Sequence, residues 1–303
     1  APPLFPDGRV ELTPQLALLG GFRYDREENI QDVTQKASFG GVYPNPALYG
    51  QLGPVVAGLN QVVGLFVGQA SAVVPSTSRT FEAFLPKLGL KYDLTDTASA
   101  SFVVQRGYRS GGATINVARG AIVPYDPEYT WNYELALRST WLDNALSVNA
   151  NAYYVDWTDQ QVLVNMGSSL YDTQIENAGA SHLYGLELEA TYRASRQFDW
   201  YAALGASHTE FDDFTVSPGS STVDLSGSSF AFAPEWTWAV GGNYRWDNGF
   251  VANLNASYRS KAYSASGPNQ ADYAIDARTL VNGKIGYETA HWSASIYAKN
   301  IFD

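Results

Sequence analysis

Cysteine is missing from this chain of 303 residues, methionine occurs once and histidine three times. Without cysteine there is no disulfide framework, and the redox compartment stays open, since reduced cytosolic and disulfide-free envelope proteins share this trait. Basic residues are scarce as well: 19 Lys and Arg stand against 30 Asp and Glu, a net charge of −11. A nucleic-acid partner is therefore not expected, because phosphates demand a basic stripe. No run of about twenty apolar residues exists, which excludes a transmembrane helix. The best stretch, 55–74, is broken by Asn60, Gln61 and Gln69. No signal peptide opens the chain at Ala1 either, so an export signal is expected upstream of it. If this protein crosses a membrane, it does so with strands.

What the sequence has in abundance is alternation. In 129–141 one set of positions reads Tyr129, Trp131, Tyr133, Leu135, Leu137, Ser139 and Trp141, and the other carries Asn132, Glu134 and Arg138. Tyr184, Leu186, Leu188 and Tyr192 alternate with Glu187, Glu189 and Arg193 in the same way. So do Trp236, Trp238, Val240 and Tyr244 with Asn243 and Arg245, and Phe250, Leu254 and Tyr258 with Asn253 and Arg259. A period of two marks strands with unlike faces. About twelve such segments are expected, at 8–12, 16–28, 80–92, 98–109, 129–141, 146–164, 179–193, 200–212, 235–246, 250–263, 275–288 and 292–301. Most exceed the usual five or six residues and reach the nine to eleven or so that a tilted strand needs to cross a bilayer.

The connections alternate too. Short ones fall at 13–14, 93–97, 142–145, 194–199, 247–249 and 288–291, and Asp247-Asn248-Gly249 is a strong hairpin signal. Long ones fall at 29–79, 110–128, 165–178, 213–234 and 264–274. Every tight turn then lies on one rim and every long loop on the other, as in outer-membrane barrels. Trp131, Trp141, Trp236, Trp246 and Trp292 sit near strand ends, where rings rest at the membrane–water interface. The fold expected is all-β: a transmembrane, antiparallel, up-and-down β-barrel.

Four motifs carry a family likeness. YDPEYTWNYELALR (125–138) resembles a signature of TonB-dependent receptor barrels through Pro127-Glu128 and Tyr133-Glu134, with Ala136 where glycine is usual and Arg138 for lysine. RGYRSGG (106–112) looks like that family's strand-to-loop exit, and NAGASHLYGLELEA (177–190) like its Gly-Val-Glu strand. YAKNIFD (297–303) is similar to the Asn-Leu-Phe-Asp sequence of the penultimate strand, with Ile301 for leucine. The resemblance implies a barrel of about 22 strands with a plugged lumen. Residues 1–303 then form a partial barrel domain, roughly strands ten to twenty-one, without plug, TonB box, early strands or last strand. By itself it cannot close.

Two groups of residues are candidates for function. The polar face includes Arg23, Asp25, Lys87, Lys91, Asn132, Glu134, Arg138, Asn149, Asn151, Glu187, Glu189, Asn243, Arg245, Asn253 and Arg259, which would face the lumen and the plug or simply keep the interior hydrated. Near the long loops lie Tyr108, Arg109, Arg119, Tyr125, Trp157, Tyr171, His182 and Tyr263. There arginine suits an anionic ferric chelate and aromatics suit its rings or sugars, unless the rings belong to the outer girdle and the arginines meet lipid headgroups. Loop 29–79 is long enough to be functional or inert, and its apolar part, 48–74, has room for a short helix over the mouth.

Enzyme chemistry finds no support. His182, His208 and His291 are scattered without metal-ligand spacing, so neither a metal site nor a cofactor is expected. Glu210, Asp212 and Asp213 do not match a calcium loop, and no nucleophile elbow, P-loop or dinucleotide fingerprint is present. The resemblance implies a monomeric outer-membrane receptor of the bacterial cell, importing a scarce bulky solute, by default a ferric siderophore. It would be embedded in lipid, filled by its own plug and energised by the inner-membrane TonB complex. A passive porin-like channel and a carbohydrate-binding β-protein are the rival expectations.

Overall fold

A computed structural model describes residues 5–34, 36–71, 73–167, 171–218, 221–267 and 269–302. Asp303 of the last motif lies outside them. In chain order the strands are β1 (Asp7–Glu11), β2 (Leu16–Thr34), β3 (Val73–Thr95), β4 (Ala98–Arg109), β5 (Gly112–Asn116), β6 (Ala121–Tyr125), β7 (Glu128–Trp141), β8 (Leu146–Asn165) and β9 (Thr173–Arg193). There follow β10 (Phe198–Asp213), β11 (Thr215–Val216), β12 (Val223–Asp224), β13 (Trp236–Arg245), β14 (Phe250–Arg259), β15 (Ala262–Tyr263), β16 (Ala274–Ile275), β17 (Arg278–Glu288) and β18 (Ser293–Ala298). Twelve of them make one antiparallel sheet in the order β1-β2-β3-β4-β7-β8-β9-β10-β13-β14-β17-β18, and the other six pair as small hairpins in the loops. Neighbours in the sheet are neighbours in sequence, apart from those hairpins. This is the up-and-down wall expected, and it is open: β1 and β18 are its edges.

Register turns the alternation of single strands into two continuous faces. Phe102 stands beside Leu135, Leu135 beside Ala152, Ala152 beside Leu186, Leu186 beside Ala206, and Ala206 beside Trp236. On the other side Ser101, Ala136, Asn151, Glu187, Gly205 and Thr237 follow one another in the same way. The greasy face is the more exposed: Leu135 and Ile285 are each 54% accessible, while Ala136 is buried and Glu134 half-buried. An apolar convex face and a polar concave one are what a bilayer outside and water inside require, and they rule out a soluble sandwich with its greasy side packed.

Aromatic rings mark both ends of the greasy face. Tyr244 meets Trp246 at 4.6 Å, Phe250 meets Tyr287 at 5.0 Å, and Tyr287 meets Trp292 at 5.6 Å near the tight turns. Tyr133, Tyr154 and Tyr184 form a row near the other end. The tight turns repeat one device, a hydroxyl that accepts two backbone N–H groups. Thr13 accepts from Gln15 and Leu16, Ser195 from Gln197 and Phe198, and Thr289 from His291 and Trp292. Such side chains close a turn by imitating its backbone bond. At the Asp-Asn-Gly turn only Gly249 takes a positive φ, +93°.

Several spans differ from expectation. The long loop is 35–72 rather than 29–79, because β2 and β3 continue as a ladder to Thr34 and Val73. The connection expected at 165–178 shrinks to 166–172, with β9 already paired from Thr173. Inside the first loop lies the helix α1 (Gly53–Gln69), preceded by a 3-10 turn at Pro46–Leu52. The stretch Pro46–Gly68 is long and apolar enough to cross a membrane by length and composition, which corrects the exclusion drawn from the sequence. The kink at Gly50 (φ 52°, ψ −122°) separates its two parts, however, and α1 alone has 17 residues. Such a helix spans about 25 Å, short of the roughly 30 Å hydrocarbon layer.

Candidate functional site

Above the membrane-height part of the sheet the loops build a layer, held to the concave side by polar-face side chains. Arg79, Asn29 and Gln31 share that face, and all three bind the backbone of the hairpin β5–β6. Gln31 donates to Ala113 O (2.7 Å), Asn29 to Gly111 O (3.4 Å), and Arg79 to Gly112 O and Tyr125 O (3.3 and 3.2 Å). Arg79 also pairs with Asp126 at 2.9 Å. On its far side the hairpin is tied to β8 and β9. Asn177 accepts from Asp126 N (2.9 Å) and donates to Asp126 O (3.0 Å), while Thr114 accepts from Ile175 N (3.3 Å). The hairpin is thus a strap on the lumen side, running from β2–β3 to β8–β9.

Two buried carboxylates organise this strap. Asp172, fully buried, receives Asn116 Nδ2 (2.7 Å) and the Arg119 guanidinium (2.7 and 3.1 Å), and Asn116 also donates to Gln174 (3.1 Å). The bond to Asp172 raises the Arg119 guanidinium above its ordinary pKa. Glu128, also buried, holds Arg109 at 2.9 Å and accepts from Gln161 N at 2.6 Å. Gln161 donates in turn to Ser110 O and Asp126 O. β8 passes to these partners through Asp159, whose φ is +55° and whose carbonyl accepts from Asn177 at 2.7 Å.

A small apolar core continues the layer. Ala178, Phe211, Phe214, Val216 and Leu225 are buried together, with Val162, Val164, Val223 and Phe230 around them. Ser229 O then accepts from Gln270 (2.8 Å) and Ser266 (3.0 Å), and Phe232 N donates to Tyr263 O (2.7 Å), which ties in the hairpin β15–β16. The loops from hairpin β5–β6 to hairpin β15–β16 are thus connected to one another.

Below it, the concave face carries a ladder of polar contacts. Arg23 meets Asp25 at 2.7 Å and Lys91 meets Asp93 at 2.5 Å. Arg138 donates to Asn151 (2.7 Å), which reaches Glu187 (3.4 Å). Asp199 holds Arg245 and Asn243, and from Asn243 a chain of amides runs through Asn253 (2.9 Å) and Asn255 (2.7 Å) to Asn282 (2.9 Å). Lys87, Asn132, Glu134, Asn149, Glu189 and Arg259 share this face by register. Asn255 and Asn282 were not singled out by sequence reasoning. Their polar-face positions in alternating strands were the signal that could have found them.

The eight rim candidates do not converge on one pocket. Arg109 and Arg119 are committed to Glu128 and Asp172, so neither is the free cation that an anionic solute would meet. Trp157 packs edge-on against Phe230 at 6.1 Å. Tyr108 lies half-buried 5.4 Å from Tyr129, its hydroxyl buried without a partner among the described residues. The Tyr125 ring covers Gly112, and Tyr263 carries Lys261 5.0 Å over its ring. His182 stands on the convex face beside Tyr154 and Tyr184, away from the mouth, which corrects its assignment to solute capture. Tyr171, 72% accessible, remains open to solution, and Phe232 (68%) joins it as an exposed ring that the sequence did not single out.

Comparison with known proteins agrees with this wall. A family model described as TonB dependent receptor-like, beta-barrel, matches residues 3–301. Among solved structures, the ferric yersiniabactin uptake receptor FyuA from Yersinia pestis superposes with a TM-score of 0.72 at 18% identity, over 99% of this chain and 40% of that one. The siderophore receptor PiuA from Acinetobacter baumannii gives 0.70 at 14%, over 99% and 38%. The copper transporter OprC gives 0.68 at 15%, over 99% and 42%. The chain thus spans about two-fifths of the length of these structures. It belongs to the β-barrel family of TonB-dependent receptors, proteins of the outer membrane of Gram-negative bacteria.

Proposed function

We propose that this chain is the wall of an energy-coupled importer, roughly strands ten to twenty-one of a 22-stranded barrel, and that the solute is a ferric siderophore. The match of the family model over almost the whole chain carries this reading. The geometry supports it at two levels. A concave face laid with charge pairs and an amide chain offers many hydrogen bonds to a protein plug, and on the rim Tyr171 and Phe232 carry exposed rings. Arg109 and Arg119 act as struts of that rim, so recognition falls to aromatic stacking more than to free positive charge. In this reading the plug and the TonB-contacting segment are supplied by the rest of the receptor, lipid surrounds the convex face, and the protein works as a monomer.

The test is uptake of radiolabelled ferric siderophores, with ferric citrate and copper salts alongside, by cells that carry or lack the full receptor. Each strain is compared with and without a functional tonB gene. Accumulation that needs both genes, and growth in iron-depleted medium that follows it, is the expected result. Flux that persists without TonB would replace this reading with a passive channel. Accumulation of copper but no siderophore would keep the energy coupling and change the solute.

A further inference from the structure

We propose that the convex face of β9 and β10 binds a divalent transition-metal ion through His182, His208 and Glu210. His182 lies far in sequence from His208 and Glu210, which are two residues apart on β10, but the sheet makes all three neighbours. Antiparallel register sets Glu210 directly opposite His182 and His208 opposite Tyr184, so the two imidazoles become diagonal neighbours on one face. One ring nitrogen from each histidine and one carboxylate oxygen of Glu210 lie within 4.8 Å of one another.

The surroundings favour a cation. Asp212 places its two oxygens 2.9 and 3.0 Å from Nδ1 of His182, which fixes that ring as carboxylates do for metal-bound histidines. Asp156 stands opposite His182 on the β8 side, adding a third carboxylate to the same patch. The rings are also stacked in place: His182 lies 5.9 Å from Tyr154 and 6.1 Å from Tyr184 at interplanar angles of 17° and 5°, and His208 lies 5.1 Å from Tyr184. A tetrahedral ion with bonds near 2.0–2.1 Å brings its ligands to about 3.3 Å from each other. His208 and Glu210, at 41% and 39% side-chain exposure, have the freedom to close that distance.

Ligand chemistry selects the ion. Two imidazoles with carboxylates suit Zn²⁺, Cu²⁺ or Ni²⁺, whereas Ca²⁺ and Mg²⁺ take oxygen ligands. The site is separate from the solute path, because it lies on the face opposite the polar lumen. It also lies at headgroup height: His208 continues the row Tyr133–Tyr154–Tyr184, and His182 stands one step further out, level with Trp131 and Asp156. The proposal therefore does not depend on what the receptor imports.

The experiment uses the full receptor, without a histidine tag, extracted from outer membranes in detergent and stripped with a chelator. Copper(II) is titrated in excess Mg²⁺ and read by electron paramagnetic resonance. A single bound copper with hyperfine splitting from two nitrogens is expected, and this reading of the unaltered protein needs no variant. His208→Gln is expected to reduce the pattern to one nitrogen and to weaken binding by about tenfold or more, while His291→Gln, in a tight turn, leaves both unchanged. Heat-modifiable mobility on gels shows that each variant barrel is folded. Copper without nitrogen splitting, a two-nitrogen spectrum that survives in both His182→Gln and His208→Gln, or displacement of the ion by equimolar Ca²⁺ would overturn the site.

Discussion

At the scale of single residues, the rim depends on a few groups that have no freedom to be anything else. Asn116 is completely buried and satisfies Asp172, Gln174 and the backbone N–H of Arg119 at once. Asn116→Ala removes those bonds without altering the sheet, at a cost of about 1–3 kcal/mol. Faster proteolytic nicking at 166–172, with the barrel still resistant to heat, is the expected outcome. Gly185 illustrates a different constraint: a Cβ there would stand 2.5 Å from the Tyr153 hydroxyl, since the tyrosine ring lies across the glycine on the neighbouring strand. Gly185→Val therefore slows assembly in a folding assay with outer-membrane lipids, whereas Gly8→Ala, where the nearest atom is 3.9 Å away, leaves the rate unchanged. Sequence reasoning found the chemistry of the rim but not its pairings. Arg109 and Arg119 looked like free cations because their carboxylates come from other elements, and the histidines looked scattered because a cross-strand neighbour has no fixed spacing in sequence.

At the scale of elements, the strands and tight turns were legible because alternation and turn chemistry are local. β7 was read at 129–141 and is Glu128–Trp141; β14 was read at 250–263 and ends at Arg259. The outer extensions were not legible. Residues 173–178 are covered on one face by hairpin β5–β6 and by the core around Phe211, so neither face keeps the lipid–water contrast that alternation records. α1 falls inside the apolar stretch 48–74, where a short helix had room. Its bounds were not legible, since its Val55, Leu59, Val62, Leu65 and Phe66 are exposed and it carries no charge. At the foot of its loop Ala37 N donates to Ser71 Oγ at 3.0 Å, so the chain returns to nearly the point it left. Replacing 38–70 with a short glycine-serine turn is thus expected to leave the barrel's heat-modifiable mobility intact. Loss of that mobility would show that the loop holds β2 and β3 together.

The whole molecule divides its environments by face, and charge placement tests that division. Leu135→Arg and Leu188→Arg put a cation against lipid, which costs about 2–4 kcal/mol near mid-bilayer. Asn132→Arg and Glu187→Gln alter the hydrated side. Insertion into outer-membrane vesicles is expected to fail for the first pair and to proceed for the second; equal tolerance would mean that the faces are assigned the wrong way round. The two edges of the sheet have a consequence of another kind. Asp7–Glu11 and Ser293–Ala298 each present a row of backbone donors and acceptors on their outer side, and in hydrocarbon every such group left alone costs several kcal/mol. An edge of this sort acts as a template. In the proposed barrel of about 22 strands, flanking strands would take their direction and alignment from these two rows, so the ends of this wall would dictate the register of their neighbours.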